Sequence, residues 1–203
     1  HQRALKASRE GSRLLTAAEK FATFDAIQQN SFVNYPQTEL TKAWENAIYP
    51  DHGWGGKHGD MTDRTFRTVY ENARSIASAI LDKSINNIAS RIHFSREAIP
   101  VTVFNTLSWE RTDIVKFTLN VEGNPENSFR LVNQNGTEIP YQLIDEHQIR
   151  GNRDEVLTFL FVAEKVPSVG YKTYYLEKGK PDVVTNGSRN DSHSYENKYY
   201  KVE

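Results

Sequence analysis

The sequence predicts an α+β chain: a three-helix bundle followed by an antiparallel, β-sandwich-like domain that is itself partial. Up to about residue 98, apolar residues recur at three- and four-residue spacing, the period of one helix face. Beyond Pro100 the period falls to two, in segments rich in β-branched and aromatic residues. The two kinds of segment are segregated along the chain, which argues against βαβ units and a parallel sheet. The expected division is residues 1–98 for the helical domain and 99–203 for the β domain.

In the first helical segment Leu14, Ala17, Ala18, Phe21 and Phe24 form one apolar stripe. Asn30, Ser31, Asn34 and Pro36 end it with turn chemistry. Leu40, Ala43, Trp44, Ala47 and Ile48 then share a face, and Trp44 is expected in the core. After the connection YPDHGWGGKHGD (49–60), Thr62 or Asp63 reads as the N-cap of a third helix. Phe66, Val69, Tyr70, Ala73, Ile76, Ala77, Ile80, Leu81 and Ile88 carry that helix for about seven turns.

The β region opens with VTVFN (101–105), and Trp109 near the domain junction is expected to be buried. Val115, Phe117, Leu119 and Val121 alternate with Lys116, Thr118 and Asn120, the pattern of a half-buried strand. Asn135-Gly136 between FRLVN and EIPYQLIDE signals a hairpin. EVLTFLFVA (155–163) is apolar on both faces and reads as a central, covered strand. Pro167 and Gly170 precede a further strand, YKTYYLEK, while DEHQIRGNRDE (145–155) and residues 181–194 read as solvated loops. The strand count fits part of a sandwich.

Bulk properties narrow the function classes. With 203 residues, a net charge of −1, and 25 basic against 26 acidic side chains, the chain shows no basic excess of the kind that marks nucleic-acid binders. It has no cysteine, so disulfides and thiolate metal sites are excluded. No stretch approaches the roughly 20 apolar residues of a membrane-spanning helix. Neither a nucleic acid nor a membrane is an expected partner, and the compartment is left open. The polar, helical opening HQRALKASRE and the closing NKYYKVE both read as cut from a longer chain.

The ordered series of segments resembles the family 38 glycoside hydrolases, the class II α-mannosidases. The resemblance is carried by RALKAS and SRLLTAAEKFA, then YPQTELTKAWEN, a His-containing turn, and a long helix near TFRTVYENA. It continues through VFNTLSWERTDIV and VPSVGYKTY to SYENKYYKVE, so it covers essentially the whole chain. It implies the three-helix middle domain and the start of the large C-terminal β region of a zinc-dependent, retaining exoglycosidase acting on terminal α-mannosides. The catalytic domain that precedes these parts in the family would be a missing N-terminal portion of the same chain. Both catalytic carboxylates would lie there, one to attack the anomeric carbon and one to protonate the leaving oxygen. The family thus implies that this piece is inactive alone, with an α-mannoside glycan or oligosaccharide as substrate of the whole protein.

The resemblance also implies that His52, in the turn after the second helix, is a zinc ligand, the other ligands coming from upstream. A neutral imidazole suits Zn²⁺; from the residues alone, a lone loop histidine reads more simply as a surface or capping group. Many family members carry His-His-Asp here, whereas this chain has Asp51-His52-Gly53. Asp51 is a candidate substrate-binding residue, a hydrogen-bond partner for the other ring nitrogen of His52, or a turn residue. Trp54 is a candidate platform for the apolar face of a sugar, or packs against the neighbouring domain. His58 ranks below His52 as a ligand and reads as a solvated loop histidine, and Asp60 and Asp63 read as caps of the third helix. The sequons at Asn135, Asn186 and Asn190 fall in turn-rich stretches where chance accounts for them. The alternative to the enzyme reading is a non-catalytic carbohydrate-binding or scaffolding module using Trp54.

Overall fold

The computed structural model describes residues 2–48, 59–122, 128–148, 154–181, 195–196 and 201–202. Among the described residues, three helices, α1 (Gln2–Gln28), α2 (Gln37–Ala47) and α3 (Asp60–Ala89), precede nine short to medium strands. The chain divides into two compact units. The first holds residues up to His93 together with Thr106–Trp109 and Ser168–Gly170, and the second holds the rest.

Small side chains decide how the helices pack. Ala4, Ala7, Gly11, Leu15, Ala18, Ala22 and Ala26 of α1 are buried, a three- and four-residue series that runs the whole helix. Gly11 lies so close to α3 that a Cβ built on it would stand 3.5 Å from the Arg74 nitrogen and 3.6 Å from the Tyr70 carbonyl oxygen. Arg74 Nη1 donates to Glu10 Oε2 at 3.0 Å, and Arg91 Nη1 to Asp25 Oδ1 at 2.6 Å. Residue pairs that rise together along both helices make α1 and α3 parallel neighbours, with α2 returning between their ends. The α3 face buries Phe66, Tyr70, Ala73, Ala77, Ile80, Leu81 and Ile88. From α2 only Leu40 and Ala43 are buried, Trp44 is half-buried, and Ile48 at its end is exposed.

Asp25 is an acid on the buried stripe, only 7 % exposed. Burial pushes its carboxyl up, but hydrogen bonds from Asn87, Arg91 and Gln29, together with the Arg91 charge, outweigh that and hold it below the usual carboxylate range. Asn87 Nδ2 reaches Oδ2 at 2.9 Å. Lys20, also on α1, donates from Nζ to Ser108 Oγ at 2.9 Å and toward the Thr106 carbonyl at 3.4 Å.

The second unit is a two-sheet sandwich. One sheet has the order β1 (Ile99–Asn105), β7 (Gly170–Lys178), β3 (Phe129–Asn133), β4 (Glu138–Ile139). The other has β6 (Asp154–Val166) between β2 (Arg111–Glu122) and β5 (Tyr141–Gln148). A last pair, β8 (Tyr195–Glu196) and β9 (Lys201–Val202), is antiparallel. The inner faces meet in one core: Phe129, Leu131, Tyr174 and Leu176 from the first sheet against Leu157, Phe159, Phe161, Ala163 and Val166 of β6. Phe117 stacks on its cross-strand partner Phe159 with ring centroids 4.9 Å apart. Pro140, which has no N–H to give to a ladder, stands where the chain leaves one sheet as β4 and enters the other as β5.

The hairpin at Asn135-Gly136 forms, with Leu131 opposite Ile139 and Gly136 at φ +82. Asn133 Oδ1 accepts from both Asn135 N (2.9 Å) and Thr137 N (3.0 Å). A Cβ at Gly136 would sit 2.7 Å from Arg96 Nη2, the movable end of a flexible side chain, so it is the positive φ that calls for glycine here. Arg96 in turn donates to Glu177 Oε1 at 2.9 Å, and Arg130 Nη2 holds Glu177 Oε2 at 2.7 Å. That pairing ties residues 95–96 to the same strand, where Ser95 also meets the Tyr175 hydroxyl at 3.4 Å.

Several expectations need correction. The third helix starts at Asp60 with Gly59 as its N-cap and no side-chain cap bond, so neither Thr62 nor Asp63 caps it. Trp109 is 62 % exposed rather than in the core, because it lies in the turn between β1 and β2, beyond the end of the apolar strand. Residues 145–148 and 154–155 are strand rather than loop: the backbone pairs His147 with Val156 and Gln148 with Glu155. An edge strand faces solvent along its free side, so polar composition is compatible with β structure there. The strand expected over 155–163 is central, but Val162 on its outer face is 46 % exposed.

Two stability predictions follow from the bundle. Gly11→Ala fills space at ordinary van der Waals distance and removes a helix-interior glycine, so it should raise unfolding stability by about 0.5–1 kcal/mol in denaturant titration, while Gly11→Leu should lower it. Asp25→Asn should cost about 1.5–3 kcal/mol at pH 7, because it removes a charged hydrogen-bond acceptor. The native carboxyl titrates below its unfolded value, so its contribution is present above about pH 3.9 and is lost as pH falls through the folded value. The gap between the wild type and the variant should therefore close in acid.

Candidate functional site

His52, Asp51, Trp54 and His58 all lie outside the described residues, as does the whole run 49–58. What the structure describes is the two stems that carry this connection. The α2 stem ends at Ile48, whose N–H donates to the Trp44 carbonyl at 2.9 Å. The α3 stem begins at Gly59, whose carbonyl accepts from Asp63 N at 2.8 Å. Asp60 and Asp63 sit in the first turn of α3, where their charge faces the positive end of the helix dipole. Their placement there supports helix initiation through charge rather than through a side-chain cap.

Because α1 and α3 run parallel, the start of α1 lies beside the start of α3. Ala4, Ala7, Phe66 and Tyr70 form a small buried cluster at this end, with the rings of Phe66 and Tyr70 stacked at 6.2 Å. Next to it is an open depression of about 530 Å³ lined by Gln2, Arg3, Ala4, Asp60, Asp63, Arg64 and Arg67. Its rim mixes three guanidinium groups with two carboxylates, a set suited to polar contacts with another surface or with a hydroxyl-bearing ligand. The apolar side chains of Met61 (79 % exposed) and Ile48 (70 %) flank the two stems.

Among the described residues no group of three or more His, Cys, Asp or Glu side chains is placed to hold a metal ion. Asp60 and Asp63 alone do not reach the four ligands of a zinc site. A zinc ion served by His52 would need the other ligands from outside the described residues. Sequence reasoning missed the arginines of the depression, since Arg3, Arg64 and Arg67 look like ordinary solvated helix positions until the parallel pairing brings two helix starts together.

No protein-family model and no curated protein matches the chain. Among solved structures it is similar to a protein of glycosyl hydrolase family 38 from Enterococcus faecalis, at 16% identity and a TM-score of 0.72. That match covers 97% of this chain and 27% of the other. It is also similar to an alpha-mannosidase from Enterococcus faecalis V583, at 17% identity and a TM-score of 0.65, covering 98% of this chain and 26% of that one. The chain thus spans about a quarter of the length of the structures it matches, and its helices and sheets have the fold of a segment of a family 38 glycosyl hydrolase.

Proposed function

We propose that this chain is the central part of a zinc-dependent retaining exoglycosidase that hydrolyses terminal α-mannosides, and that it is inactive without the catalytic domain of the longer protein. The observation that carries the reading is the agreement of fold over 97% of the chain with a segment of a family 38 protein. The ordered motifs from RALKAS to SYENKYYKVE support it from the sequence side. In this reading a bound zinc holds sugar hydroxyls and favours the distorted ring.

The chain's own contribution is positional. The connection between α2 and α3 would offer the imidazole of His52 as one nitrogen ligand, deprotonated at the donating atom. Asp51 would accept a hydrogen bond from the other ring nitrogen and so fix the tautomer. With glycines at 53, 55 and 56 around it, Trp54 would lay its ring on a sugar or on the neighbouring domain. Gly53 stands where many relatives carry a sugar-binding aspartate, so this protein would hold its substrate through a different set of polar contacts. The nucleophile and the acid/base lie outside this chain.

The full-length protein should hold about one zinc per chain by elemental analysis, and His52→Ala should lose most of it, since removing one of about four ligands opens the site. Zinc retained at wild-type level in that variant would overturn the ligand assignment. The 203-residue chain alone should leave an aryl α-mannoside uncleaved. Metal-dependent cleavage by this chain would contradict the division of roles, and zinc-independent sugar binding lost in Trp54→Ala would favour a binding module instead.

A further inference from the structure

The dipeptide that turns the β3–β4 hairpin, Asn135-Gly136, also carries reactive chemistry. Asparagine is a thermolabile residue, and a following glycine has no side chain to shield its peptide nitrogen. In the reaction the Gly136 nitrogen forms a bond to Asn135 Cγ. The Cγ–Nδ2 bond breaks, and ammonia leaves with the proton from the peptide nitrogen. Water then opens the resulting cyclic succinimide at either carbonyl. One opening gives aspartate, and the other gives isoaspartate, with the backbone routed through the former side chain. Water is the only co-reactant, and nothing is oxidised or reduced.

The fold decides how fast this can happen. Asn135 is exposed, so water and base reach it freely. The nucleophile, however, is engaged: the Gly136 N–H donates to the Asn133 carbonyl at 2.9 Å. Asn133 holds the rest of the turn as well. Its Oδ1 accepts from Asn135 N at 2.9 Å and from Thr137 N at 3.0 Å. Its own N–H donates to the Thr137 carbonyl at 2.9 Å. Bringing Asn135 Cγ onto the Gly136 nitrogen therefore requires the turn to open.

We propose that Asn135 is a site of spontaneous deamidation gated by local opening of the β3–β4 hairpin, with the Asn133 side chain as the latch. Hairpins open and close far faster than an amide cyclises, so the conversion rate tracks the equilibrium fraction of open turn. The isoaspartyl product cannot close the same turn. It carries an extra backbone atom between residues 135 and 136, which is incompatible with the pairing of Val132 with Glu138 across the original loop. The inference rests on the hairpin alone and is independent of the hydrolase reading.

The test is peptide mapping by mass spectrometry of the full-length protein, incubated at mildly alkaline pH in its native state and in urea. Unfolded, Asn135-Gly136 and Asn186-Gly187 have the same local chemistry and should convert at matching rates, so the second serves as an internal reference. Native Asn135 should convert at least about tenfold more slowly than in urea, the factor set by the free energy of opening. Asn133→Ala should speed native conversion about fivefold, because two hydrogen bonds to the turn are lost. Asn133→Asp keeps an acceptor for both N–H groups and should stay close to the wild-type rate. Equal rates for Asn135 in native and unfolded protein would overturn the gate, a comparison that needs no variant to fold. An Asn133→Ala rate equal to wild type would overturn the latch, and an Asn135 that stays intact in urea while Asn186 converts would overturn the site.

Discussion

The close, parallel approach of α1 to α3 is the constraint on which the helical unit depends. It is possible because α1 presents alanines and Gly11 where larger side chains would hold the backbones apart. Dispersion contacts at that distance are individually small and collectively large. Two polar pairs, Glu10 with Arg74 and Asp25 with Arg91, fix the axial register of the seam. Once the register is set, the starts of α1 and α3 share one end of the bundle, and α2 must return between them. The first turn of α3 therefore borders a charged depression built from both helix starts.

The other unit depends on a different device. Its core is aromatic, with Phe117, Phe129, Phe159, Phe161 and Tyr174 meeting edge-on or stacked between two sheets. The crossing from sheet to sheet falls at Pro140, the residue that neither ladder can use as a donor. Glu177 between Arg96 and Arg130 fastens the incoming chain to the strand β7.

Much of this was legible in the sequence, and the failures are instructive. Large apolar residues at helical spacing marked all three helices, and alternation marked β2, where Val115, Phe117, Leu119 and Val121 are the inward residues. Asn135-Gly136 marked its hairpin because few dipeptides tolerate that backbone. The α1–α3 seam was only partly legible, since Ala4, Ala7 and Gly11 carry little hydrophobic signal even though they set the packing. Asp25 was overlooked, although an acid three residues after Ala22 on an apolar face signals a buried partner. Trp109 misled because size favours burial only where a strand or helix offers a core to enter. Residues 145–148 misled because an edge strand tolerates polar composition. Of the candidate site, the stems and the acidic first turn of α3 are described, whereas the ligand role of His52 rests on its place in an ordered series of motifs and falls outside the described residues.

The chain shares its fold with a segment of a family 38 protein, and fold alone does not fix chemistry, which rests on particular side chains. The central claim is that the α2–α3 connection completes a metal site whose other ligands lie elsewhere in the longer protein. The most direct measurement is an anomalous-scattering map at the zinc edge from crystals of the full-length protein. The account predicts one peak with a ring nitrogen of His52 at about 2.0–2.1 Å and the remaining ligands from outside this chain. A zinc peak fully ligated without His52, or no zinc peak in crystals of active enzyme, would contradict it.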